Sequence, residues 1–378
     1  MSGQPKNRGF RPNEGSPSPG YSYWETKGWL HDLDALVVGA GIVGMNAALR
    51  LKALQPQWKV LVVDRASLGG ATTRNAGFAC FGSPSELLED WETLGPDGAV
   101  ALVRQRWEGL KLLRGTCGDE ALQYRACGAT EAFTDPEHFG RAAAALPMLN
   151  EALTPVLGTA PFSITQDPQS SGLHGLAGAI SSPLEGDLDT ASMALALRSQ
   201  LQQHGVKMLA GTAVEGLTSV DQGWAALTSQ GSIQARHVLV ANNGWAANLL
   251  DLDVQTAPNT VLVSQPLPEM ALPTTVHHDR GYVYAREVDG RLLIGGGRHW
   301  DCASEEERAE RLVSWAQAHI HGAADMRVEH RWEGQLGVGA QRTPIVESVK
   351  HGLHVGVRLG GMGVAIGTAI GQKLAELV

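Results

Sequence analysis

Residues 34–64 contain Asp34-Ala35-Leu36-Val37-Val38-Gly39-Ala40-Gly41-Ile42-Val43-Gly44-Met45-Asn46-Ala47-Ala48-Leu49-Arg50-Leu51-Lys52 and, beyond Pro56, Lys59-Val60-Leu61-Val62-Val63-Asp64. The apolar run 35–38 predicts a buried parallel strand. Gly39, Gly41 and Gly44 form G-x-G-x-x-G, and a helix follows from Ile42 and Val43 until near Pro56. Lys59–Asp64 predicts the next strand, ending in an acid twenty positions after Gly44. Each part has a task. Gly39 permits the sharp turn, Gly41 lets the backbone approach a pyrophosphate, and Gly44 lets the helix pack closely on the strands. The helix N-terminus offers free N–H groups and a partial positive charge to phosphates. Asp64 can accept hydrogen bonds from ribose hydroxyls. The strand–turn–helix–strand context marks a dinucleotide site.

Outward from this unit runs a long loop of small residues, Asp64-Arg65-Ala66-Ser67-Leu68-Gly69-Gly70-Ala71-Thr72-Thr73-Arg74-Asn75-Ala76-Gly77-Phe78-Ala79-Cys80. A simple nicotinamide dehydrogenase would begin a helix there. A loop of this kind suits an extended FAD, with its backbone N–H groups and Arg74 or Asn75 near the phosphates and ribityl chain. Arg65, Thr73 and Ala76 are further candidate contacts.

The whole chain has 378 residues, of which 43% are hydrophobic and 18% charged. It is neither disordered nor collagen-like. Its 46 glycines are about 12%, against a usual 7% or so, as expected of many tight turns or of backbone close to a large ligand. Thirty basic and 39 acidic residues give −9, which argues against a nucleic-acid partner or a polybasic membrane anchor. Cys80, Cys117, Cys127 and Cys302 are too scattered for a disulfide scaffold and lack a C-x-x-C pair. The N-terminus has no secretory h-region, and no run of 18 apolar residues predicts a transmembrane segment. A flexible leader over 1–33 and a cytoplasmic location are therefore expected.

Several segments in order, among them VVGAGIVGMNAALRL, VLVVDR, GGATTRNAGFACFG, HVLVANNGWAANLL, RLLIGGGRHW and GLHVGVRLGGMGVAIGTAIGQKLAELV, resemble the D-amino-acid oxidase superfamily of FAD-dependent amine and amino-acid oxidoreductases. The resemblance spans roughly 34–378. It implies an α/β fold: a Rossmann-like FAD-binding domain from 34–85, 175–250 and 335–378, interleaved with an α+β substrate domain from 86–174 and 251–334. The substrate domain would be built on a large mixed or antiparallel sheet. Val214 would meet the adenine. Asn243 and Gly244 lie in a stretch that resembles the family's A-x-G-x-W turn, with Asn242 and Asn243 at positions that are more often small. Gly360, Gly361, Met362 and Gly363 would present backbone donors at a helix N-terminus to the flavin. FAD would be held non-covalently, because no cysteine follows Cys302 near that loop.

The resemblance implies hydride transfer to the flavin from a carbon next to nitrogen, so no Ser-His-Asp or metal constellation is needed. A substrate carboxylate calls for an arginine fork. Arg358, just before the glycines, and Arg342, in a segment like the family's flavin-edge motif, are the candidates; either can instead be structural. Tyr282 and Tyr284 share a strand face and, with Arg286, either line the pocket or pack the sheet. His299 and Trp300 are open to both readings. His277 and His278 are expected at the surface or in packing, and Cys80 in packing. Residues 208–349 contain no lysine, so oxygen activation would fall to Arg or His, or electrons would pass to a quinone or another carrier. Two alternatives stand beside a small amine or amino acid as substrate: a 2-hydroxy-acid dehydrogenase, and a non-oxidative protein with structural FAD.

Overall fold

The computed structural model describes residues 20–67 and 70–378. Its first sheet is doubly wound. Strands Leu353–Val357, Gly231–Val240, Leu33–Val38, Val60–Asp64 and Lys207–Ala210 lie side by side, all parallel, and Ile345–Lys350 adds an antiparallel edge. Val37 sits between Leu239 and Val62 in register, and all three are fully buried. That burial on both faces is why the strands read as unbroken apolar runs. Helices Ile42–Leu54 and Gly363–Ala375 cover one face, while strands Val214–Val220 and Gly223–Thr228 contribute to the other.

The second sheet is mixed. Its order is Val328–Val338, Gln255–Pro266, Arg291–Gly296, Val283–Val288, Thr275–His278, Ala129–Phe133, Gly178–Ser182 and Ser163–Ile164. Only the pairing of Thr275–His278 with Ala129–Phe133 is parallel. Helix Glu305–His319 packs on it through Leu312 and Ala316.

Two boundaries differ from expectation. Gly178–Ser182 pairs with Ala129–Phe133 in the second sheet, although it falls inside a stretch assigned to the nucleotide layer. Strand Val328–Val338 runs unbroken across the expected division at 334 and 335. The long helix Pro84–Cys117 breaks at Gly95, ahead of Pro96, and beyond the break it packs on the C-terminal helix: a Cβ on Gly109 would collide with the Ala365 carbonyl. The expected leader also divides. Residues 1–19 lie outside the described residues. Tyr21 and Leu30 pack against the apolar cluster of the first sheet, and the Tyr21 hydroxyl lies 3.1 Å from Thr228 Oγ1.

Candidate active site

A cavity of about 1230 Å³ runs between the two sheets. Sites for drug-sized ligands are about 300–1,000 Å³, so this one has room for a dinucleotide and a small substrate. At one end, Gly39 has φ 113°, and a Cβ there would lie 2.6 Å from the Ala241 carbonyl oxygen. A Cβ on Gly44 would strike the Gly39 carbonyl. Gly41, Ile42 and Val43 line the cavity at the helix N-terminus. Thr72, which the sequence reading passed over in favour of Thr73, accepts the Ile42 N–H at 2.9 Å through its buried hydroxyl.

Asp64 faces the cavity while bracing the glycine turn. Its two oxygens accept the Ala40 and Ala66 N–H groups, each at 2.7 Å. Arg65 stacks on the Trp245 ring at 3.8 Å, and Val214 lines the wall nearby. Asn75 and Ala76 also face the cavity, but the Asn75 amide is turned inward onto the Ala71 and Thr72 carbonyls. Arg74 bridges toward the second sheet, where its carbonyl accepts the Trp332 indole N–H at 3.1 Å. Asn243, at φ 51°, accepts the Arg358 and Leu359 N–H groups and so fixes the turn leading to Gly360, Gly361, Met362 and Gly363, which line the cavity.

Three expected contacts fall outside the lining. The Thr73 hydroxyl donates to the Gly70 carbonyl. Gly244 is a packing glycine whose Cβ would lie 2.9 Å from the Leu336 carbonyl oxygen. Arg358 is buried, with φ 65°, and its guanidinium donates to the Thr343 carbonyl, the Asp253 carbonyl and, at 2.7 Å, the Asp253 carboxylate. The positive φ turns the side chain away from the glycines that follow it, so Arg358 does not face the cavity as a carboxylate clamp would.

The other end is lined by Tyr282, Tyr284, Arg298, Arg342, His277 and His299. Arg342 faces the cavity, but its charge is engaged by Glu89 at 2.8 Å and Asp90 at 3.1 Å, with the Tyr282 hydroxyl at 3.3 Å. Burial raises the Asp90 carboxyl above its usual range against the pull of Arg106. The Tyr284 hydroxyl, raised by burial, accepts from Asn259 Nδ2 at 2.7 Å and keeps its own proton to donate. Arg286 is held away by Asp187 and the Leu188 carbonyl. His299 pairs with Asp279 at 2.5 Å. Arg298 has no carboxylate partner among the described residues; its guanidinium lies 4.5 Å over the Tyr282 ring. His277, expected at the surface or in packing, is buried and joined to Glu185 at 3.1 Å.

The residues present fit FAD. Two helix N-termini open onto one long cavity. Asn242 Oδ1 and Asn259 Oδ1, from two residues of its lining, are buried without a hydrogen-bond partner, which a bound ligand would supply. A doubly wound sheet carrying the glycine turn and facing a mixed sheet across one long cavity is the architecture of a flavoprotein. The model of the family "FAD dependent oxidoreductase" matches residues 34–377, and the chain belongs to that family; its cofactor is FAD. It is similar to the bifunctional protein ThiO/ThiG of Synechocystis sp., 26% identical over 319 residues, covering 80% of this chain and 44% of that one. The chain thus spans under half of that relative. Among solved structures it resembles glycine oxidase from Geobacillus kaustophilus (TM-score 0.74, 21% identity, 92% and 94% of the two chains). It also resembles iminodiacetate oxidase from Chelativorans sp. BNC1 (TM-score 0.73, 23%, 91% and 94%). No helix among the described residues is long and apolar enough to cross a membrane.

Proposed function

We propose that this FAD-dependent oxidoreductase oxidises the C–N bond of a small amino acid, holding the substrate carboxylate with Arg298. The observation that carries this reading is the cavity-lining Arg298, whose guanidinium lies over the Tyr282 ring and has no carboxylate partner among the described residues. A planar fork of this kind matches a carboxylate with two parallel hydrogen bonds. FAD, when bound, supplies the acceptor for a hydride leaving the carbon next to nitrogen. Tyr284, protonated and already accepting from Asn259, has its O–H available to a substrate oxygen or nitrogen. Phe78 packs edge-on against Tyr284 and contributes to an apolar wall that limits water at the reacting carbon. The names of the glycine and iminodiacetate oxidases, two fold neighbours, agree with a small amino or imino acid as substrate.

The test is anaerobic absorbance of the flavin-loaded protein against D- and L-amino acids, N-methylated amines and 2-hydroxy acids. Bleaching of the flavin band by an amino acid is expected. Bleaching by hydroxy acids alone would replace the reading with the hydroxy-acid one, and no bleaching by any of them would leave FAD a structural ligand. Readmitted air then separates an oxidase from a dehydrogenase.

A further inference from the structure

Cys80, Glu185 and His277 come from three distant places: after the short strand Phe78–Ala79, before the strand Gly186–Asp187, and within the strand Thr275–His278. The fold brings them together. A thiol sulfur, a carboxylate oxygen and an imidazole nitrogen all lie within 4.8 Å of one another, and all three residues are buried. Glu185 is aimed. Its Oε1 accepts the Phe81 and Gly82 N–H groups at 2.8 and 3.1 Å, and its Oε2 meets His277 Nε2 at 3.1 Å. A carboxylate pinned by one oxygen presents the other in a fixed direction, as hydrogen-bonded ligand carboxylates do in metal sites. Cys80 and His277 both line the cavity, which gives an entry path and room for a fourth ligand.

We propose that Cys80, Glu185 and His277 bind a single divalent, thiophilic cation of the zinc type, with its fourth position open to the cavity. Sulfur, nitrogen and oxygen together form a donor set that Zn²⁺ takes at about 2.0–2.3 Å. Tetrahedral bonds of that length place donors about 3.4–3.8 Å apart. The widest pair therefore closes by at most about 1.4 Å, and the Glu185–His277 contact opens slightly. Three protein ligands and one open position make this an accessible site rather than a closed structural one. On binding, the Cys80 thiol proton and the proton between Glu185 and His277 leave to solvent. A thiolate, a carboxylate and a neutral imidazole then balance the ion's two charges. Glu131 and Glu86 act on His277, and Glu86 and Arg106 act on Cys80. Two carboxylates against one guanidinium make the surroundings favourable to a cation. The inference is independent of the substrate reading.

The experiment is equilibrium dialysis of the flavin-loaded full chain against micromolar Zn²⁺, counting metal per flavin. One Zn²⁺ per chain is expected. Cys80→Ser and His277→Gln each weaken binding by at least 10-fold, whereas Cys302→Ser, a half-buried cysteine outside the cluster, does not. Flavin content and unfolding midpoint establish that each variant is folded. Co²⁺ added to the unsubstituted protein supplies a second signature, a thiolate-to-metal absorption band that Cys80→Ser abolishes. No uptake at a hundredfold excess of Zn²⁺ over protein, or uptake that Cys80→Ser leaves unchanged, overturns the proposal.

Discussion

The central carbon of the Arg298 guanidinium sits 4.5 Å from the Tyr282 ring centroid. A guanidinium held over a ring face by its charge keeps its N–H donors for a ligand. Arg342, on the same wall, is instead drawn onto Glu89 and Asp90. Two arginines in one cavity thus differ in their partners: carboxylates for Arg342 and an aromatic ring for Arg298.

Replacing Arg298 with Met keeps the length of the side chain and removes the fork. Loss of a charge-assisted pair costs about 1.5–3 kcal/mol, so the KM of a carboxylate substrate is expected to rise about 10- to 100-fold with flavin content unchanged. Steady-state kinetics on Arg298→Met and Arg298→Lys check this; a KM that stays put removes Arg298 from substrate binding.

Arg358 behaves differently. Its buried guanidinium ties the Thr343 carbonyl to Asp253, so Arg358→Met is expected to lower stability by about 2–3 kcal/mol through lost charged hydrogen bonds. The KM of the same substrate should move less than threefold. Thermal unfolding beside kinetics separates the two arginines.

At the nucleotide end, Gly44→Ala drives a methyl group into the Gly39 carbonyl. The helix must move off the strand, and the turn beneath the phosphates moves with it. The purified variant is expected to carry little flavin, read as the ratio of visible to ultraviolet absorbance. Full flavin loading would remove the need for close packing at this position.

His354 is buried, and burial, helped by the nearby His237 and His351, lowers its pKa to about 4. His237, stacked on it at 5.9 Å, is lowered as well. A histidine with a folded value below its unfolded one binds protons more readily when the chain unfolds. Its contribution is therefore complete above about pH 6.5 and falls away as the pH drops toward 4. For His354 the full span is about 3 kcal/mol. Unfolding midpoints between pH 7 and 4.5 should fall, and fall less steeply in His354→Gln.

The nucleotide layer was legible because its signals are local. Val37 and Val62 lie in short apolar runs, and Gly39 and Gly44 occupy positions where any side chain collides. The far end of the cavity was less so. His277 and His278 are neighbours in sequence, and only the register of the strand sends His277 to the cavity while His278 stacks on Trp315 at 5.0 Å. Glu185 reaches His277 from 92 positions away, a pairing that no local pattern announces. Arg358 stands beside the right glycines, but proximity along a chain carries no direction, and its φ of 65° turns it toward Asp253. Gly178–Ser182 lies inside the stretch assigned to the nucleotide layer but pairs with Ala129–Phe133, a partner about fifty positions away that its own five residues do not name.

The bond between Arg50 and Glu376, 326 positions apart, joins the first helix of the nucleotide layer to the helix that closes it. During synthesis, Leu33–Val38 precedes its neighbour Gly231–Val240 and the covering helix Gly363–Ala375 by a long stretch of chain. Pairings this distant form slowly. One side of Leu33–Val38 therefore waits for Gly231–Val240 while Val60–Asp64 can already cover the other, and the cofactor cradle is finished only once Gly363–Ala375 has emerged.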